Sequence, residues 1–104
     1  MNASISAASL EYVKAKVRVV KNGALYDPTS DLVTMAFTAT EDLPAKDVVW
    51  SEASWETVDG EHYARCLVGP DGDAELIAGV YYVWVTVVDD PEVPVKPAGI
   101  LLVR

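Results

Sequence analysis

Gly79-Val80-Tyr81-Tyr82-Val83-Trp84-Val85-Thr86-Val87-Val88 decides the fold class of this chain. Val80 to Val88 are all β-branched or aromatic, which suits a pleated strand and costs rotamer freedom in a helix. With the two-residue period of a strand, Tyr81, Val83, Val85 and Val87 point one way. Val80, Tyr82, Trp84, Thr86 and Val88 point the other. Both faces are largely apolar, as in a central strand, and one carries hydroxyls and an indole N–H that need partners. Gly79 opens the run and Asp89-Asp90-Pro91 closes it.

The remaining segments read as strands and turns around this one. Upstream, Glu61 to Val68 alternates His62, Ala64, Cys66 and Val68 with Glu61, Tyr63, Arg65 and Leu67. Asp59-Gly60 before it is a hairpin turn, and Val48 to Thr57 is a further strand region. Trp50 and Trp55 share a face there only if a bulge separates them. Leu32 to Ala39 places Val33, Met35, Phe37 and Ala39 on an apolar face. Leu10 to Val20 alternates Val13, Ala15, Val17 and Val19 with Tyr12, Lys14, Lys16 and Arg18. It is longer than most strands, so a bend or a change of sheet is expected. Lys21-Asn22-Gly23 is a turn, and Ala24 to Ser30 is a connection without apolar period.

Gly69-Pro70-Asp71-Gly72-Asp73 is a strong turn, and Ala74 to Ala78 is too short for more than one helical turn. Downstream, residues 89–98 carry prolines at 91, 94 and 97 and read as a stiff extended loop. Gly99 to Val103 is the closing strand. Residues 1–9 are small and polar and read as a flexible N-terminal arm, with Ile5 its apolar anchor if it orders on a partner. The pattern describes one all-β domain over residues 10–104: an immunoglobulin-like antiparallel β-sandwich of six to seven strands, with a small barrel as the alternative.

The chain has 104 residues, is 51% hydrophobic and has a net charge of −8, which suits a domain that buries its own core. The charge is uneven: Lys14, Lys16, Arg18 and Lys21 stand against Glu11 in the first 21 residues, and the rest is strongly acidic. An acidic body argues against nucleic acid as a partner. No apolar run reaches membrane-span length, and the N-terminus lacks the basic and apolar regions of a secretion signal. Cys66 is the single cysteine, so an internal disulfide is impossible and a reducing compartment fits.

Chemistry-bearing residues are sparse. His62 has no serine or cysteine motif spaced to form a nucleophile–base pair, and reads as structural. Cys66 reads as a small core residue. Asp71, Asp73 and Glu75 alternate along a Gly-containing turn as calcium ligands do, yet lack the sixth-position glycine and twelfth-position acid of an EF-hand. They read as solvated turn carboxylates. Glu52 with Glu56, or Asp89 with Asp90, would need a sugar cleft for glycosidase work. Trp50, Trp55, Trp84, Tyr63, Tyr81 and Tyr82 are candidates for a sugar-stacking platform, though strand aromatics more often serve cores and interfaces. No enzyme and no cofactor is expected.

The run K-N-G-A-L-Y-D-P-T-S-D-L-V-T-M-A-F-T-A, then V-V-W, then L-V-G-P-D-G-D-A-E-L-I-A-G-V-Y-Y-V-W-V-T-V, then D-D-P-E-V-P-V-K-P-A-G-I-L-L-V resembles small immunoglobulin-like structural proteins of tailed bacteriophages, especially those of actinobacterial hosts. It is also distantly similar to the N-terminal domain of phage baseplate upper proteins. The resemblance covers about residues 19–104 and brings no catalytic residues. It implies a non-enzymatic virion protein made in the bacterial host cytoplasm. A capsid-associated decoration protein leads, with a neck, tail or baseplate component next and a carbohydrate-binding or adhesion module as the alternative. The implied partners are the major capsid protein, neck or tail proteins, or the chain itself, with no membrane. Expected contact residues are Ile5 on the arm, Lys14, Lys16 and Arg18 on the basic strand, and Pro91, Val93 and Pro94 in the proline-rich loop. The plainer reading of the basic strand is that it pairs with acidic strands of its own sheet.

Overall fold

A computed structural model describes residues 2–44, 48–88 and 93–104. Among them there is no helix, and ten strands follow in chain order. They are β1 (Asn2–Ile5), β2 (Glu11–Val17), β3 (Val19–Lys21), β4 (Ala24–Tyr26) and β5 (Leu32–Thr38), then β6 (Ser51–Glu52), β7 (Ser54–Val58), β8 (Glu61–Val68), β9 (Gly79–Val88) and β10 (Val95–Val103). A five-stranded sheet has the order β1-β10-β9-β5-β6, a three-stranded sheet the order β2-β8-β7, and β3 and β4 form a separate hairpin. All pairings are antiparallel except β1 with β10.

The Gly79–Val88 run is the long inner strand β9, paired to β5 on one side and β10 on the other. Its Val83, Val85 and Val87 meet Val33 and Met35 of β5, Leu101 and Val103 of β10, and Val13, Ala15, Ala64 and Cys66 of the three-stranded sheet in one core. That core spans both sheets, so the inward faces of the two sheets bury one another. Met35, Ala64, Cys66 and Leu101 are wholly buried.

Ten strands arise where six or seven were expected because long apolar runs are divided. Leu10–Val20 breaks at Arg18: β2 stays in the three-stranded sheet, and β3 turns back on β4. Ala24–Tyr26 was expected as a plain connection. It pairs because Asn22 (φ 52°) and Gly23 (φ 77°) both adopt positive φ, the two-residue turn that matches strand twist. Asp59 (φ 51°) and Gly60 (φ 79°) make the same turn between β7 and β8. Val48–Thr57 divides at Ala53, whose N–H donates to the Val33 carbonyl at 3.2 Å. Ser51–Glu52 pairs with β5, while Ser54–Val58 crosses to β8 in the other sheet.

Two further expectations are corrected. Asn2–Ile5, placed in a flexible arm, is an edge strand running parallel to Ile100–Val103 of β10. Ile5 is 6% exposed in the core, and its carbonyl accepts from the Arg104 N–H at 2.9 Å. Apolar burial plus a main-chain ladder offsets the ordering cost of so short a segment. The closing strand begins at Val95 rather than Gly99. Among the described residues β1 pairs only with Ile100–Val103, so no described strand pairs with β10 at Pro97 on that side, where a proline is tolerated. The register shifts between Pro97 and Gly99. Residues 89–92, including Pro91, lie outside the described residues.

The turn after β8 is locked by backbone. Gly69 N–H donates to the Ala74 carbonyl at 2.9 Å, and Asp73 N–H to the Leu67 carbonyl at 2.7 Å. Gly69 has φ +139°, and a Cβ there would lie 2.1 Å from the Ser9 carbonyl oxygen. Both the dihedral and the close approach of the 9–10 backbone demand glycine. Gly69→Ala is expected to lower stability by about 2–4 kcal/mol in urea unfolding, more than a surface substitution costs.

Candidate functional site

The buried titratable groups do structural work. Cys66 is 0% exposed, and its thiol pKa is pushed up to about 12 by burial first and the Asp73 charge second. The thiolate is the reactive species, so this thiol is inert in the folded chain. His62 faces Thr57 across β7 and β8, with Nδ1 2.8 Å from the threonine hydroxyl. Its Nε2 lies 3.7 Å from an oxygen of Asp27. Asp27 in turn accepts from the Thr29 N–H and hydroxyl, and this hydroxyl bond is the first cause of its lowered pKa. Asp71, Asp73 and Glu75 lie on the backbone-locked turn. Among the described residues no group of three or more His, Cys, Asp or Glu is arranged to hold a metal.

The two outward faces differ sharply in chemistry. On the three-stranded sheet, alternation turns Tyr12, Lys14 and Lys16 of β2, Tyr63 and Arg65 of β8, and Ser54 and Glu56 of β7 outward. Lys14 reaches diagonally across β8 to Glu56, Nζ to Oε2 2.8 Å. Lys16 Nζ lies 3.5 Å and Arg18 Nη2 3.1 Å from the Glu61 carboxylate. The Arg65 guanidinium covers the Tyr12 ring at 4.5 Å and donates from Nε to Ser54 Oγ at 3.1 Å. Lys14, Lys16 and Arg18, offered as contact residues, are therefore engaged within their own sheet. A groove of about 340 Å³ runs over Lys14, Lys16, Glu56, Val58 and Tyr63.

The outer face of the five-stranded sheet carries almost no charge. β9 turns Val80, Tyr82, Trp84, Thr86 and Val88 outward, and β5 turns Leu32, Thr34, Ala36 and Thr38 outward beside them. β10 adds Val95, Pro97, Ile100 and Leu102, and β1 adds Asn2 and Ser4. Among the described strand residues, Glu52 of β6, opposite Thr34, is the only charged one on that side, and Glu41 borders it. The polar groups at its centre satisfy one another. Thr34 and Thr86 hydroxyls are hydrogen-bonded across the strands. Trp84 Nε1 donates to Thr38 Oγ1 at 2.8 Å, which donates to the Thr40 carbonyl at 2.7 Å. Toward solvent, Val80 is 54% exposed, Ile100 41% and Leu102 40%, with Asn2, Ser4 and Glu52 also exposed around them. Two shallow depressions meet at Ile100. One, of about 350 Å³, holds Glu41, Tyr82, Trp84 and Pro97; the other, of about 410 Å³, holds Asn2, Ser4 and Leu102.

Of the other expected contact residues, Ile5 faces the core and is not available to a partner. Val93 and Pro94 are exposed, and Pro94 borders a cleft with Asp31 and Lys96. Pro91 lies outside the described residues. The tryptophans form no exposed platform: Trp84 is buried, and Trp50 and Trp55 are half-buried, the Trp55 indole donating to the Asp31 carbonyl at 2.9 Å. The outer face of the five-stranded sheet is not among the contact regions expected from the sequence. Its signal was present in the apolar second faces of β9 and β10, which a half-solvated sheet would have made polar. Compared with family models, curated proteins and solved structures, the chain matches none.

Two outcomes follow from these contacts. A thiol reagent at about pH 8 leaves Cys66 unmodified in the native chain and modifies it fully in concentrated urea; rapid native labelling would contradict the burial. The Glu56 carboxyl is held below its ordinary 4.5, first by the Lys14 hydrogen bond and then, against desolvation, by the Lys14 and Arg65 charges. With the folded pKa depressed, its contribution is present above the unfolded value and disappears as pH falls from about 4.5 through the folded one. Glu56→Gln is expected to lose less stability than wild type between about pH 5 and 3 in thermal melts.

Proposed function

We propose that this chain is a non-enzymatic structural protein of a tailed-phage virion, an immunoglobulin-like β-sandwich that docks through the outer face of its five-stranded sheet. The strand order supports the fold reading. With β2, β8 and β7 as strands B, E and D, and β6, β5, β9 and β10 as C′, C, F and G, the two sheets follow the immunoglobulin arrangement. The core-spanning role of the disulfide in antibody domains falls here to Met35, Cys66 and Leu101 packing, which suits a protein that folds in a reducing cytoplasm. The phage assignment rests on the resemblance of the 19–104 segments.

The observation that carries the docking role is the largely apolar outer face, where Glu52 and Glu41 are the charged residues at its margin. A soluble sheet facing only water alternates apolar and polar residues, as the three-stranded sheet does. Here Val80, Ile100 and Leu102 stay exposed on a chain of net charge −8. Contiguous apolar surface of this kind marks an interaction site. Binding there removes aliphatic area from water without stripping charges of their hydration, and an assembled particle supplies the neighbouring surface permanently.

Quantitative mass spectrometry of purified particles tests the reading. Copies in the hundreds relative to the major capsid protein place the chain on the head as decoration. A few dozen or fewer place it at the neck, tail or baseplate, and absence overturns the virion role. Ile100→Glu is expected to reduce incorporation at least tenfold while leaving the fold intact.

A further inference from the structure

We propose that the depression formed by Glu41, Tyr82, Trp84, Pro97 and Ile100 receives an arginine side chain of a partner protein. The proposal rests on the docking reading above and names the chemistry that the partner presents. The depression is shallow, so a free small ligand would bury too little of its surface there, while a side chain delivered by a docked protein fills it. It is fixed from beneath. Trp84, 5% exposed, is the floor; its Nε1 donates to Thr38 Oγ1 at 2.8 Å, and Thr38 Oγ1 donates to the Thr40 carbonyl at 2.7 Å. This relay holds the main chain immediately before Glu41 close to the indole edge, which brings the Glu41 side chain to the rim of an aromatic depression.

The lining selects a cation with a flat, weakly hydrated head. Tyr82 is half-buried and leaves part of its ring in the depression, and Pro97 and Ile100 are exposed beside it. An aromatic ring attracts a cation, and a planar guanidinium stacks on it where an ammonium keeps its water. The aliphatic stem of an arginine covers Pro97 and Ile100, and its fork pairs with the Glu41 carboxylate at the rim. Glu41 is available for that pairing. Glu56 and Glu61 are engaged by Lys14, Lys16 and Arg18, whereas among the described residues Glu41 has no ion-pair partner. The whole chain acts in the same direction: a net charge of −8 draws a basic surface in and disfavours an acidic one.

Backbone amide NMR of the full chain reads the site. The probe is the capped tripeptide Val-Arg-Val, and its control, Val-citrulline-Val, keeps the shape and removes the charge. Both are titrated to about 20 mM, the range in which a single side chain gives a measurable bound fraction. The expected result is saturable shifts confined to residues 40–42, 82–84 and 98–100, with the citrulline peptide about fivefold weaker or worse. Glu41→Gln and, separately, Tyr82→Leu should each weaken the arginine peptide by about fivefold or more, with the amide spectrum elsewhere unchanged. Asp71→Asn removes the same charge outside the depression, at a left-handed position (φ 63°) that asparagine also adopts, and should leave binding unchanged. Absence of saturable shifts overturns the proposal, as do shifts spread over the acidic body, equal binding of the citrulline peptide, or equal weakening by Asp71→Asn. Particle incorporation lost in Ile100→Glu, without saturable arginine binding, overturns the proposal and leaves docking through this face standing. An arginine site that meets all these marks, in a chain absent from particles, supports the proposal and overturns the virion role.

Discussion

The structure depends on β9 being committed on both of its faces. Val83, Val85 and Val87 close the core against the three-stranded sheet, while Trp84 and Thr86 are 5% exposed on the opposite side of the same strand. An inner strand with hydrogen-bonded neighbours on both sides cannot slip by one residue without exchanging these two sets. Slippage would put Trp84 and Thr86 into a core with no acceptor for the indole, and would strand the valines outside. The long antiparallel registers with β5 and β10 are therefore pinned by side-chain chemistry as well as by turns.

From that fixed strand the sheet changes become intelligible. The chain needs strands in both layers, and it moves between them at single residues. At Ala53 the main chain leaves β5 and joins β8, keeping its N–H satisfied by Val33 during the crossing. At Arg18 it leaves β8 for the β3–β4 hairpin. The N-terminal strand closes the β10 edge at Ile100–Val103, and Pro97 blunts the part of that edge that β1 does not cover. Short edge strands and a proline are the usual protections against unwanted strand addition.

The two outward faces embody different physics. Over the three-stranded sheet, Lys14, Lys16, Arg18 and Arg65 are held by Glu56 and Glu61, all partly exposed. Such pairs contribute little each and mainly keep the face soluble and ordered. Over the five-stranded sheet, hydroxyls and an indole close on one another and leave aliphatic side chains outermost. Desolvating the first face costs more than it returns; desolvating the second is favourable. That contrast supports placing the proposed docking role on the apolar face.

The all-β class, the inner position of Gly79–Val88, the hairpin at Asp59-Gly60 and the burial of Cys66 are all legible in the residues themselves. They follow from local rules: alternation, β-branching, turn residues with positive φ, and a single cysteine on an apolar parity. The pairing of Lys14 with Glu56, the crossing at Ala53, the hairpin of Ala24–Tyr26 and the capture of Ile5 were decided only by tertiary structure. Each joins segments distant in sequence or sets a backbone break inside a continuous apolar run, and alternation alone carries no information about which sheet a strand joins. The same holds for the outer face: Val80, Ile100 and Leu102 are ordinary strand residues one by one, and they become a surface only when β9 and β10 lie side by side in register.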